Sequence, residues 1–124
     1  ELIFRIGMFE QQIHQMHQQM EAVEKGINDL GSLNFGLDEL RGSLGKEILS
    51  PLGKGIFVKT RLESEDLTVD IGGKNFVKKD IPETKEIIER QIKKLVRVRE
   101  DIGENMEKIS KEMAKTLEEF QEKR

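Results

Sequence analysis

The sequence predicts a mainly α-helical chain with a small β-segment, folded as a long antiparallel coiled-coil hairpin with two β-hairpins at its bend. Apolar residues recur in steps of three and four towards both ends of the chain, which is typical of coiled-coil helices. Between them, apolar and polar residues alternate, which is typical of strands. Charged residues make up 36% of the chain and hydrophobic residues 35%, so only strict periodicity can keep it ordered. We expect a single domain over residues 1–124.

Helix 1 is expected to span residues 1–45. Its seam, meaning the row of apolar positions that faces a partner helix, extends over more than three heptads, and a strand cannot produce this period. The seam residues are Ile6, Phe9, Ile13, Met16, Met20, Val23, Ile27 and Leu30.

The second half of helix 1 is expected to be less regular. Glycines there each cost about 1 kcal/mol relative to alanine in a helix interior, so we expect this half to be bent or locally loose. Gly45 is expected to end the helix. Past Leu30 the row is predicted to slip by an extra step of three, a stammer, and to continue through Leu33, Leu37, Leu40 and Leu44.

Residues 46–80 are predicted to form two β-hairpins. Two longer strands alternate between apolar and polar residues, and two shorter apolar runs flank them. The longer strands lie at residues 56–62 and 67–71, the shorter ones at 47–49 and 75–78. The segments at residues 53–55 and 72–74 supply residues that tolerate the positive φ of tight turns, and a turn at 63–66 joins the longer strands.

Helix 2 is expected to span residues 81–124. Either Asp80 or Ile81 caps its start, with Pro82 in the first turn, where a missing N–H costs no hydrogen bond. Arg99 and Thr116 are expected to interrupt its apolar row. The seam residues are Ile88, Ile92, Leu95, Ile102, Met106, Ile109, Met113 and Phe120.

These elements predict association with other chains. Helices of about 40 residues are about 60 Å long, too long for a compact domain of this size, so they must pack on each other. The hairpins are too small to form a core of their own, and they carry apolar groups on both faces. We expect an oligomer interface formed by Ile48, Leu49, Ile56, Val58, Leu62, Leu67, Val69, Ile71, Phe76 and Val77.

Composition argues against several other functions. The net charge is -3 with interspersed signs and no basic stripe, so we expect no nucleic-acid partner. No apolar run approaches the roughly 18 residues of a membrane span, and no signal-peptide pattern is present, so we expect a cytoplasmic chain without a membrane partner. There is no cysteine, and no arrangement of catalytic side chains can be assembled, so we expect no enzyme and no cofactor.

Two short patterns lack the residues that a binding motif needs. His14 and His17 are three residues apart, but further ligands cannot be placed, so we expect a solvated polar face rather than a metal site. The Gly-Lys sequences at residues 53–55 and 73–74 lack the spacing and the Ser or Thr of a phosphate-binding loop.

Two sequences in the β-segment indicate a family. EILSPLG at residues 47–53 and LTVDIGGKNFVKK at residues 67–79, in the order helix, two hairpins, helix, resemble the alpha class of prefoldin subunits. The resemblance implies a hetero-hexamer with prefoldin beta subunits, two alpha and four beta, whose hairpins form a β-barrel platform. It implies an ATP-independent chaperone, a holdase, which captures unfolded client proteins at the coiled-coil tips and delivers them to a group II chaperonin.

Apolar residues surround the first turns of helix 1 in larger number than one seam can bury. Antiparallel packing would bring them beside the end of helix 2 and form a tip, where Met and Phe can adapt to varied client segments. The alternative is ordinary coiled-coil core with fraying ends. The candidate client-binding tip comprises Leu2, Ile3, Phe4, Ile6, Met8, Phe9, Leu117 and Phe120.

Two other functions are compatible with these patterns. The first is a prefoldin-like coiled-coil scaffold or adaptor subunit, or a filament-forming paralogue, without general client binding. The second is a coiled-coil arm that binds nucleic acid, against which the balanced charge argues.

Overall fold

The computed structural model describes residues 1–122 and contains two long helices and four short strands. This order confirms the predicted fold class, and the last two residues of predicted helix 2, 123 and 124, lie outside the described residues. The elements are α1 (Leu2–Leu40), β1 (Glu47–Gly53), β2 (Ile56–Arg61), β3 (Leu67–Asp70), β4 (Phe76–Lys79) and α2 (Ile81–Glu122).

The chain folds into two compact units, which we describe separately. The first unit comprises Glu1–Asp29 and Ile92–Arg124, and the second comprises Leu30–Gln91. That residues 1–124 form one domain stays a prediction.

In the first unit, α1 and α2 run antiparallel. A Cβ placed on Gly26 would lie 3.2 Å from Leu95 Cδ1, and one placed on Gly103 would lie 4.0 Å from Met20 Cε, so higher numbers on one helix face lower numbers on the other. All the predicted seam residues of α1 in this unit, from Ile6 to Ile27, are half-buried, and most residues between them are exposed. The heptad seam is therefore confirmed here.

The seam of α2 is more continuous than its apolar residues indicate. Arg99 and Thr116, which we expected to interrupt the row, are both half-buried at seam positions, in step with Leu95, Ile102 and Met113. The Thr116 hydroxyl donates a hydrogen bond to the Glu112 carbonyl at 2.9 Å, which satisfies its polar group within the helix. The heptad pattern thus continues through residues whose chemistry does not reveal it.

In the second unit, the predicted stammer in α1 is wrong. Leu33 is 51% exposed, whereas Asn34 is half-buried and Leu37 is buried. The seam therefore continues from Leu30 through Asn34 to Leu37 in unchanged steps of four and three. The expectation failed because it followed the leucines and took the polar Asn34 to be outside the seam.

The end of α1 also differs from the prediction. The helix ends at Leu40 rather than at residue 45, because Gly42 adopts a φ of +74°, the left-handed conformation that commonly ends helices. The Gly42 N–H donates a hydrogen bond to Glu65 Oε1 at 3.0 Å, across a large sequence separation. The Gly45 N–H instead donates to the Leu62 carbonyl at 2.7 Å and begins the β-segment.

The two predicted hairpins form separate two-stranded antiparallel sheets. Hairpin 1 pairs β1 with β2, from Glu47 opposite Arg61 to Gly53 opposite Ile56, and hairpin 2 pairs β3 with β4. Each turn holds a lysine at positive φ, Lys54 at 51° and Lys74 at 62°, beside glycines that also have positive φ. The predicted turn at 63–66 lies in the segment that connects the two hairpins.

Asp80 caps the start of α2. The Glu83 N–H donates a hydrogen bond to Asp80 Oδ1 at 2.8 Å, and the Thr84 hydroxyl donates to the Asp80 carbonyl at 2.8 Å, which favours Asp80 over Ile81 as the cap. Ile81 and Ile88 are 2% and 4% exposed, so the first two turns of α2 anchor the second unit.

Alanine at Gly31 is expected to raise the free energy of unfolding by about 1 kcal/mol, because Gly31 lies within a helix and a Cβ there would meet no atom within 4 Å. Alanine at Gly26 should raise it by less, because Leu95 Cδ1 must shift. Thermal unfolding followed by circular dichroism, at one protein concentration, compares the two. A larger gain for Gly26→Ala would contradict the close approach at Leu95.

Candidate functional site

The ends of the two helices meet in the first unit, as the candidate tip requires. A cleft of about 360 Å³ is lined by residues from the start of α1 and the end of α2. Leu2 and Phe120 supply its apolar wall, and Arg5, Thr116 and Glu119 supply polar groups. The structure therefore brings together residues from both halves of the predicted tip.

The eight predicted tip residues fall into two groups. Leu2, Ile6 and Phe9 are half-buried, and Ile6 and Phe9 occupy the seam, so these three contribute mainly to helix packing. The other five are exposed: Ile3 by 88%, Phe4 by 68%, Met8 by 48%, Leu117 by 41% and Phe120 by 43%. We call these five the exposed tip.

Hairpin 1 exposes apolar side chains on both of its faces. Register places Leu49, Pro51 and Phe57 on one face, and Ile48 and Val58 on the other. Leu49 and Phe57 are 63% and 57% exposed. Only the second face is partly covered, where Ile48 is half-buried and the Ser50 and Thr60 hydroxyls lie 2.6 Å apart. A small sheet that is apolar on both sides is a surface suited to association.

The ten predicted interface residues also divide by exposure. Those that are exposed are Leu49, Ile56, Val58, Ile71 and Phe76, and those that are half-buried are Ile48, Leu62, Leu67, Val69 and Val77. Leu44, Leu52 and Phe57, which are not among the ten, are each more than half exposed. The positions of Leu52 and Phe57 near the Gly-Lys-Gly turn of hairpin 1 could have indicated that both are exposed.

Hairpin 2 turns one face towards the helices of its unit. Leu67, Val69 and Val77 are half-buried on that face, whereas Phe76 is exposed on the other. Beside the covered face runs an apolar groove of about 670 Å³. Its lining comes from α1, β3 with the following residue, and α2: Leu30, Leu33, Leu37, residues 67–71, Thr84, Ile87, Ile88 and Gln91.

The two histidines, His14 and His17, are both exposed on α1. His14 Nε2 and Gln18 Nε2 lie 3.3 Å apart on an exposed face of α1. Residues 1–122 contain no group of three or more His, Asp or Glu side chains placed to hold a metal ion. No described helix is long and apolar enough to cross a membrane. The candidate sites are therefore the exposed apolar surfaces of a chain that is rich in charged residues.

One ion pair in the second unit joins the two helices. Lys85 Nζ lies 2.6 Å from Asp38 Oδ1, and the side chain of Lys85 is only 17% exposed. The other ion pairs within the described residues join more exposed side chains, such as Arg61 with Glu47 at 3.7 Å. The Lys85–Asp38 pair is therefore the one that water screens least.

Comparison with known proteins identifies relatives over nearly the whole chain. The family model described as Prefoldin subunit matches residues 9–124. The chain is 34% identical over 111 residues to prefoldin subunit alpha of Methanobrevibacter smithii, which covers 89% of this chain and 76% of that protein. It is 27% identical over 89 residues to prefoldin subunit alpha of Methanosphaera stadtmanae, and this alignment covers 72% of this chain and 64% of that protein.

A solved structure shares the fold. The filamentous PFD from Methanocaldococcus jannaschii, determined by cryo-EM, superposes with a TM-score of 0.83 and covers 93% of this chain and 97% of that chain. Its sequence identity is 20%, so this similarity concerns the arrangement of helices and hairpins.

Proposed function

Because this chain belongs to the prefoldin family, as an alpha-type subunit, we propose that it is an ATP-independent holdase that captures unfolded polypeptide at its coiled-coil tip. The observation that carries the proposal is the exposed tip. Ile3, Phe4 and Met8 leave about half or more of their surface in water, and they lie on the same helix end as the cleft with Phe120. Exposed large apolar side chains on a charged chain indicate a binding surface.

The exposed tip can hold a client without nucleotide. Each of its side chains can bury apolar surface worth roughly 1.5–3 kcal/mol against an unfolded segment. Several subunits in one oligomer would add such contacts, because a segment bound once meets the next tip as an intramolecular event. Release then needs only a tighter acceptor, for which we propose a group II chaperonin.

Charges beside the exposed tip would keep it from binding other copies of itself. Glu10, Glu118 and Glu119 are exposed within the same turns of α1 and α2, and Arg5 lies on the cleft. Like charges on neighbouring tips repel each other, whereas an unfolded segment can bring its own apolar residues between them. Met8 adds adaptability, because its side chain is unbranched.

We propose that the hairpins carry the assembly with prefoldin beta subunits, as two alpha and four beta subunits around a β-barrel platform. Hairpin 1 supports this, since Leu49, Phe57 and Val58 are exposed on opposite faces and no single partner surface within the chain could cover both. Unpaired strand edges in both two-stranded sheets can accept further strands.

A second candidate function is a filament-forming subunit without general client binding. The fold that the chain shares with a filamentous PFD supports this second candidate. Electron microscopy of the purified chain, alone and with a candidate beta subunit, separates the two. Filaments of the chain alone, without suppression of client aggregation, would favour the filament function.

Serine at Ile3, Phe4 and Met8 together is expected to remove most of the suppression of aggregation of a chemically denatured enzyme, because the apolar contact area at the tip is lost. Light scattering at fixed subunit concentration measures it. Val98→Ser is the matched control, because Val98 is 42% exposed on α2 away from the predicted tip, and it should keep full activity. Full activity in the triple variant would place client binding elsewhere, for example on the inner sides of the arms.

Aspartate at Leu49 and Val58 together is expected to abolish the oligomer while the helical circular dichroism changes little, because both side chains are exposed on hairpin 1 and charge there opposes burial against another subunit. Native mass spectrometry gives the oligomer mass. Ser110→Asp is the control, since Ser110 is exposed on α2 and lies outside the hairpins. Normal assembly of the double variant would refute the platform.

A further inference from the structure

Past Leu30, helix α1 carries two overlapping rows of candidate seam residues. One row consists of Leu30, Asn34 and Leu37, and the other consists of Leu33, Leu37 and Leu40. At 3.6 residues per turn, the centres of these rows lie about 60° apart around the helix axis. A rotation of this size would therefore exchange one row for the other.

The observed position leaves both rows incompletely satisfied. Asn34 Oδ1 is buried and has no hydrogen-bond partner among residues 1–122, and a buried polar atom without a partner destabilises a fold. Leu33 is 51% exposed, although it lines the apolar groove with Ile87. Rotation by about 60° would carry Asn34 towards water and Leu33 into the seam.

Two glycines make this stretch of α1 easy to twist. Gly31 and Gly36 flank Leu33 and Asn34, and a Cβ at either position would meet no atom within 4 Å. Close packing inside the described chain therefore does not require either glycine, while each lowers helix stability relative to alanine. The segment between them is the part of α1 in which a rotation costs least.

The ion pair between the helices opposes this rotation. In the observed position, the centre of the Asn34 row faces α2, and Asp38 lies about 70° from it around the helix axis, on the side away from the Leu33 row. Rotation that turns the Leu33 row towards α2 would therefore leave Asp38 about 130° from the direction that faces α2. Lys85 Nζ, now 2.6 Å from Asp38 Oδ1, would lose its partner. The pair thus stabilises the position in which Asn34 Oδ1 is buried.

We propose that residues 31–40 form a two-position switch in α1. The Lys85–Asp38 ion pair stabilises the first position, which buries Asn34 Oδ1 and presents Leu33 to the groove. The second position buries Leu33 and exposes Asn34. The switch therefore determines whether the groove beside hairpin 2 keeps Leu33 in its apolar lining.

Nuclear magnetic resonance of the full chain, labelled at leucine methyl groups and side-chain amides, tests the switch. We expect relaxation dispersion at the Leu33 methyl groups and the Asn34 amide. Asp38→Asn should raise the minor population about fivefold, which corresponds to loss of an ion pair of about 1 kcal/mol. Glu39→Gln is the control: it removes a neighbouring charge that makes no ion pair in the described residues, and it should leave the population unchanged.

Asn34→Leu provides an independent test. It should abolish the dispersion and raise the midpoint of thermal unfolding, because an apolar side chain satisfies the seam in the observed position. Lower stability of Asn34→Leu would mean that the asparagine is satisfied in solution and would overturn the proposal. Single Leu33 signals without dispersion in both wild type and Asp38→Asn would overturn it as well.

Discussion

Mutual burial of the two heptad seams is the constraint on which the rest of this chain depends. Within the described residues the buried apolar side chains are Leu37, Ile81, Ile88 and Ile102, and nearly all other seam residues are half-buried. Stability is therefore distributed along a narrow contact, in which each residue contributes part of the roughly 1.5–3 kcal/mol of full burial. Because 35% of the chain is hydrophobic, little apolar material remains for a central core.

The apolar side chains outside the seam lie at places with different physical properties. On hairpin 1, side chains such as Leu49 and Phe57 lie on strands whose unpaired backbone groups can also hydrogen-bond to another strand. This combination suits a lasting contact of defined geometry. At the helix ends, Met8 and Phe4 project from single turns without strand edges beside them, which suits brief contacts with varied segments. The proposed assembly interface and the proposed client-binding tip thus both rest on apolar side chains that the chain itself leaves uncovered.

Spacing alone was sufficient to predict the seam from Ile6 to Leu30 and the two hairpins, because periodicity follows directly from helix and strand geometry. It failed at Asn34 and at Arg99, since position in a seam is geometric and a polar residue there gives no compositional signal. Spacing also misplaced the end of α1. The helix ends before Gly42, whose N–H donates a hydrogen bond to Glu65, and local spacing cannot reveal a contact between residues so far apart in sequence. At the tip, the seam period separates the packed Phe9 from the exposed Phe4, but the predicted tip included both because it was drawn from all the apolar residues of the first turns.

The methionines of the coiled coil make it chemically vulnerable. Met16, Met20, Met106 and Met113 occupy half-buried seam positions, and Met8 is 48% exposed at the tip. Oxidation to the sulfoxide converts a flexible apolar side chain into a polar one. With no cysteine in the chain to react first, peroxide would act on Met8 before the seam, so the proposed client capture would be lost before the helices separate. Methionine sulfoxide reductase could restore both, which makes this damage reversible.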